Sequence, residues 1–407
     1  MKSFEVPEFY RSPLITAIKK QHKLNDKLKK DFTPTLLNFD TVKIYLARHF
    51  GFCYGVENAI EIAFRTVQEN PNKRIYLLSE MIHNPQVNAD LQHAGVQFLH
   101  DTYGNELIPL ATLTKHDIVL IPAFGTTIAM EKQLQAKGIA IEQYDTTCPF
   151  VEKVWNRSEA IALKGFTVIV HGKPTHEETR ATFSHSAAHT PTLVIKNMEQ
   201  AMLLGKYIQG TVAAPNFYTD FEQQYSIGFD PLQHLHKIGV VNQTTMLAED
   251  TQAIADYLKQ IIAEQYGQAA LKDHFADTRD TLCYATNDNQ TAVKALLQQP
   301  AQLAIVVGGY NSSNTSHLVE LCEQVLPTYY IDNANKIGND YSITHFNLAT
   351  HSTLTTQQFL PISKQPTSIL ITSGASCPDA IVEAVIEKIL ALYQVDFAKH
   401  TIIEQFI

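Results

Sequence analysis

From Thr41 onward, short apolar runs alternate with longer stretches in which apolar positions recur every three or four residues. VKIYL at 42–46, IVLIPAF at 118–124, LAIVV at 303–307 and SILITS at 368–373 read as strands. VEKVWNRSEAIA at 151–162 and AIVEAVIEKIL at 380–390 read as helices with one apolar face. Strands that are apolar without interruption belong in a parallel sheet covered on both faces, so the alternation predicts an α/β chain. Residues 1–40 depart from it. They carry eight Lys/Arg against five Asp/Glu, concentrated in a helix-like stretch from Ile15 to Lys30, and read as a surface helix on the main body. The least periodic stretch, about 205–237, reads as an insertion of loops and short turns.

Aligning the strand ends exposes a repeat. A cysteine stands between a strand and a helix at Cys53, Cys148 and Cys283. About 28–30 residues after each comes a polar loop: IHNPQ with His83, HGKPTHEET with His176 and Glu178, and GGYNSSNTSH with Ser312, Ser313 and Asn314. A third unit follows each time, at Phe124, at Gln243–Thr245 and at Ser373–Ser376. A period above ~90 residues is too long for a solenoid. It predicts three similar parallel-sheet α/β domains about a pseudo-threefold axis with a central site: 41–147 with Cys53, 148–282 with Cys148 and the insertion, and 283–407 with Cys283, behind an extension of 1–40. Ligands of open parallel sheets gather where strands end and helices begin, which is where all nine loops fall.

Composition narrows the partners. The 407 residues are 45% hydrophobic with net charge −9 and a pI near 6.0, which argues against a nucleic-acid reader. The longest apolar runs fall short of the ~18–20 residues of a membrane helix, so no membrane partner is expected. Residues 1–40 show neither a secretory core with a cleavage site nor the Arg- and Ser-rich, acid-poor character of a transit peptide. A cytoplasmic placement is therefore favoured over a plastid stroma. Five cysteines in so long a chain are too few and too odd for a disulfide framework.

Cys322 sits inside a helical pattern and reads as core; Cys377 lies in a polar loop and is left unassigned. Cys53, Cys148 and Cys283 stand at predicted helix N-termini, where free N–H groups and the helix dipole favour thiolates. Three thiolates leave a metal that wants four ligands with one open position, as catalytic centres require. Zinc and a 4Fe–4S cluster both satisfy that count, and thiolate-only ligation tips the choice toward iron–sulfur. The polar loops supply hydroxyls and helix N-termini suited to an anion such as a diphosphate. Ser, Thr and Asn are also the ordinary capping residues. His176 and Glu178 form the best acid–base pair.

The motifs GFCYGVENAI, IHNPQV, DTTCPFVEKVW, HGKPTHEET, NQTTML, VVGGYNSSNTSHL and SGASCPD together resemble the 4-hydroxy-3-methylbut-2-enyl diphosphate reductases, from about Thr41 to Leu390. The longer plant and cyanobacterial form is the nearer match. The resemblance implies a reductive dehydroxylation that yields isopentenyl and dimethylallyl diphosphates, the last step of the methylerythritol phosphate route. It implies one 4Fe–4S cluster on Cys53, Cys148 and Cys283 with the fourth iron open. His83, His176, Thr244, Ser312, Ser313, Asn314 and Ser376 would surround the diphosphate substrate, and Glu178 would donate the proton. Ferredoxin or flavodoxin would supply electrons, since no nucleotide-cofactor fingerprint is present. Where shorter bacterial members have a histidine, this chain reads PAFGTT with Phe124, so that contact would be absent or replaced by Thr126 or the Gly125 N–H. A three-cysteine 4Fe–4S enzyme of quinolinate-synthase-like architecture is the alternative.

Overall fold

The computed structural model describes residues 4–276, 281–361, 366–396 and 403–406. The chain divides into two compact units. The first takes Met1–Phe64, Ile82–Asp90 and Tyr284–Ile407, the second Arg65–Met81 and Leu91–Cys283.

In the first unit a five-stranded sheet runs in the order Thr35–Asn38, Val42–Leu46, Thr367–Ser373, Leu303–Val307, Thr328–Ile331. The first pair is antiparallel and the others parallel. Its two central strands, Thr367–Ser373 and Leu303–Val307, are buried along their whole length, as uninterrupted apolar runs require. The strand ahead of Cys53 pairs with the strand ahead of Ser376, with Ile44 opposite Ile369 and Leu46 opposite Ile371. The first and third repeat segments thus share one sheet.

The expected N-terminal helix spans Pro13–Asn25. Ser12 caps it by accepting the Ile15 N–H at 2.9 Å, with Pro13 at the first helical position. Leu14, Ile15 and Ile18 are fully buried, and Lys19 pairs with Asp379 at 2.7 Å. More of the extension is structured than its sequence suggested, since Thr35–Asn38 adds an edge strand to the sheet. A hairpin of Ile343–Asn347 and Ser352–Thr356 also belongs to this unit.

The second unit holds two parallel sheets, Gln97–Phe98, Ile75–Leu77, Ile118–Leu120 and Thr192–Ile195, Thr167–His171, Ile238–Asn242, Phe275–Ala276. Alternate residues of the larger sheet enter different cores. Ile169, Leu193 and Val240 join one cluster, and Val168, Val170 and Val241 the other. The 205–237 stretch contains short helical turns, and its side chains contribute to a core. Tyr207, Phe217, Phe221, Phe229 and Leu235 fill the first of those cores, with Phe217 stacked on Phe229 at 5.2 Å between centroids. Aromatic side chains without helical periodicity had concealed that burial. Among the described residues no helix is long and apolar enough to cross a membrane.

Candidate active site

Every singled-out loop follows the C-terminal end of a strand or opens a helix. In the second unit, Cys148 is the N-cap of Pro149–Ala162, and its carbonyl accepts the N–H groups of Val151 and Glu152 at 2.8 and 3.1 Å. Asp145 fixes the approach by accepting the Thr147 N–H and hydroxyl at 2.8 and 2.6 Å. Cys283 is 8% exposed and directly precedes the helix Tyr284–Leu296.

One peptide joins the elements of this half. The Thr244 N–H donates to Glu178 Oε1 at 2.5 Å, and the Thr244 carbonyl accepts the Cys283 N–H at 3.3 Å. Glu178 is 2% exposed. Gln243, fully buried, accepts the Lys173 N–H and Thr179 hydroxyl on Oε1 at 3.1 and 3.0 Å and donates to Thr245 at 2.6 Å. It clamps the HGKPTHEET loop to the NQTT loop. His176 caps the helix Glu177–Ala187, its Nδ1 accepting the Glu178 N–H at 3.2 Å. A neutral His176 ring therefore carries its proton on Nε2 and is a donor there.

Burial pushes the Cys148 thiol up to about 12. The N–H groups of Phe150 and Val151 pull the other way, while negative charge on Cys283 or Glu178 reinforces the rise. The dipole at the helix start, which alone would favour the thiolate, is outweighed by desolvation. Two neighbouring thiols that disfavour each other's ionisation are suited to a shared cation, which would reverse the penalty. Thiols of this kind have the chemistry of metal or cluster ligands. Among the described residues, no three His, Cys, Asp or Glu side chains form a group that could hold a metal ion. Within its unit the structure couples two of the three thiols.

Phe124 meets His176 edge-on, with ring centroids 6.0 Å apart. The Gly125 N–H does not replace the missing histidine, because it donates to Pro122 at 2.9 Å in a tight turn. That glycine has φ +75°, and a Cβ there would run into Trp155. Trp155, the sole tryptophan, stacks on His185 at 3.7 Å, and His185 Nε2 donates to the Thr126 carbonyl at 3.1 Å. His185 reads from sequence as an ordinary surface or core histidine, yet it braces the Phe124 loop.

In the first unit, the Cys53 N–H donates to the Ala375 carbonyl at 3.2 Å, and the Ala375 N–H donates to Asn314 Oδ1 at 2.9 Å. The Ser376 hydroxyl donates to the His83 carbonyl at 3.0 Å. Gly309 lies so close that a Cβ would sit 2.5 Å from that carbonyl oxygen. Cys53, His83, Ser376 and Asn314 are therefore tied together by main-chain contacts. Ser312 caps the helix Ser313–Glu323 by accepting from Thr315, as a plain capping residue would. Neither the NQTT nor the SGAS loop caps its helix: Leu247 and Pro378 hold those positions. Ser313 Oγ and Asn314 Nδ2 are buried and, among the described residues, have no hydrogen-bond partner. Each such group costs about 1–3 kcal/mol, which a ligand rich in acceptors would relieve. Cys322 and Cys377 are fully buried, and none of the five cysteines is in a disulfide.

A family model described as LytB protein matches residues 44–390. The chain is 42% identical over 352 residues to a Synechococcus protein named 4-hydroxy-3-methylbut-2-enyl diphosphate reductase, covering 86% of each. A Thermosynechococcus vestitus protein of the same name is 40% identical over 355 residues, covering 87% of this chain and 86% of that one. The fold resembles that of the reductase from Plasmodium falciparum, at 21% identity with a TM-score of 0.62 over 86% of this chain and 89% of that one. A structure described as the terminal enzyme of the non-mevalonate pathway gives a TM-score of 0.52 at 24% identity, over 86% of this chain and 99% of that one.

Proposed function

The chain belongs to the LytB protein family, and on that premise we propose how its residues perform the reaction of the named reductases. It is an oxidoreductase of isoprenoid-precursor synthesis; the family match sets aside the quinolinate-synthase-like alternative. One proton lets the hydroxyl of 4-hydroxy-3-methylbut-2-enyl diphosphate leave as water, and two electrons with a second proton convert the remainder to isopentenyl or dimethylallyl diphosphate. A 4Fe–4S cluster with Cys53, Cys148 and Cys283 as thiolate ligands and its fourth iron open would supply one-electron chemistry and a Lewis-acidic position.

The observation that carries this reading is the Glu178–Thr244–Cys283 connection. Glu178 is oriented by the peptide N–H that donates to its Oε1, and its carboxyl group carries the proton for the departing hydroxyl. That peptide also accepts the Cys283 N–H, so the proton donor and a thiolate ligand are fixed by the same main-chain group. His176 Nε2 donates to the substrate. Ser313 Oγ and Asn314 Nδ2, with His83, Thr244, Ser312 and Ser376, take the diphosphate oxygens together with the helix start at Ser313.

Electrons arrive one at a time from an external carrier, ferredoxin or flavodoxin, and the enzyme works in the cytoplasm. The three recurring cysteine loops support reading the chain as segments 41–147, 148–282 and 283–407 behind the 1–40 extension. Anaerobic isolation followed by assay with the hydroxylated diphosphate and reduced methyl viologen tests the proposal. A brown protein with about four irons that releases both products is expected. A colourless zinc protein, or a brown one without turnover, overturns it.

A further inference from the structure

Within the first unit, the N-terminal helix, the turn after it and the Cys53 loop line a cavity of about 400 Å³ that no step above uses. Resting on the reading of Cys53 as a ligand of the redox centre, we propose that this cavity and its lysine rim are the docking site of a negatively charged one-electron carrier protein.

Charge is the first support. The chain carries −9, yet residues 15–30 hold six lysines and one aspartate. Lys23, Lys27 and Lys29 are exposed at the cavity, with Arg48 buried behind them. Lys29 is steered by Asp288 at 3.8 Å and by the Tyr284 ring at 5.0 Å, and Arg48 by Asp31 at 3.6 Å. Lys23 and Lys27 have no carboxylate partner among the described residues. Four lysines and Arg48 outnumber Asp26, Glu57 and Asp288 around the cavity, and such a net positive rim on an acidic molecule steers an acidic partner.

The second support separates a protein from a small anion. Leu24 and Leu28, interleaved with those lysines, are 65% and 75% exposed. A free phosphate or carboxylate gains nothing from two bare leucines, whereas a protein surface buries them. Small mixed apolar and charged contacts are typical of transient redox complexes. The third support is position. Cys53 lines the same cavity and is not fully buried, so a carrier seated on the rim brings its redox group toward that thiolate. Asn289, 4% exposed, also lines the cavity, with an Nδ2 that has no partner among the described residues and can receive a partner's carboxylate or carbonyl. Each encounter oxidises one carrier by one electron. Two carriers, two protons and one substrate yield one product and one water.

The test pairs steady-state turnover with a calorimetric titration of the holoenzyme, using an acidic [2Fe–2S] ferredoxin as the probe. In Lys23→Glu/Lys27→Glu, the KM for reduced ferredoxin should rise roughly tenfold, affinity should fall in parallel, and the salt dependence of both should flatten. The rate driven by methyl viologen should be unchanged. Lys115→Glu, an exposed charge in the second unit, is the control and should alter none of these. Unaltered ferredoxin affinity in the double variant, or an equal effect from Lys115→Glu, overturns the docking site. Failure of the unmodified chain to turn over with viologen would instead strike the reaction itself, and the titration reads the docking site separately from it.

Discussion

Glu178 is a carboxyl group with one oxygen occupied by a peptide and almost no access to water. Glu178→Gln keeps an acceptor for the Thr244 N–H and nearly the same volume, and loses only the transferable proton. Its turnover should drop by about 10²–10⁴ while iron content and substrate affinity hold. Iron analysis, equilibrium binding and viologen-driven assay check the three quantities, and full activity would remove Glu178 from its role. The titratable and hydroxyl-bearing members of the site were legible in the sequence, because a thiol or a carboxyl beside a histidine announces its chemistry by type. The Thr244 peptide was not, since N–H and C=O groups are common to every residue. The Trp155–His185 brace was hidden for a related reason: its partners lie 30 residues apart and meet only after two helices pack.

The N-terminal helix shows what an element adds. The stretch from Ile15 onward reads as a helix in the sequence, but its buried face of Leu14, Ile15 and Ile18 and the contact that fixes its far end appear only in the structure. His22 Nε2 meets the Thr35 hydroxyl of the edge strand at 2.8 Å, and Arg48 donates to the His22 carbonyl at 3.3 Å. Burial, with Arg48 nearby, lowers the His22 pKa from 6.5 to about 4. Below pH 6.5 the unfolded chain binds a proton that the folded chain refuses until about pH 4, so this group makes stability fall with pH across that window and has no effect above it. In urea melts at pH 7 and pH 5, His22→Gln should lose less stability between the two than the parent chain does. Equal losses would show that His22 titrates normally. The same scale explains why the core within 205–237 was not legible: short turns give no 3.6-residue period, so Phe217, Phe221 and Phe229 gave no sign of forming a core.

Over the whole molecule, alternating apolar runs were enough to reveal an α/β chain with parallel sheets. They were silent on which strands adjoin, because neighbours are chosen by packing between segments far apart in sequence. Thr367–Ser373 pairs with both Val42–Leu46 and Leu303–Val307, so it holds the five-stranded sheet together. A chain ending at Leu360 lacks that strand. Limited proteolysis should cut it readily within residues 35–64 and 284–360 and leave residues 91–283 comparatively protected. Uniform resistance would show that the sheet closes without its central strand. The pairing also sets a timetable for synthesis. Roughly 320 residues separate Val42 from its partner Thr367, and Cys53 leans on Ala375. At ~5–20 residues per second the ribosome takes tens of seconds to cover that distance. For all that time the first cysteine loop is outside the tunnel but unanchored, and its thiol is open to oxidation or stray metals. Maturation of the site must therefore wait until residues 367–375 have been made and have left the tunnel, which makes the nascent polypeptide the stage most in need of protection.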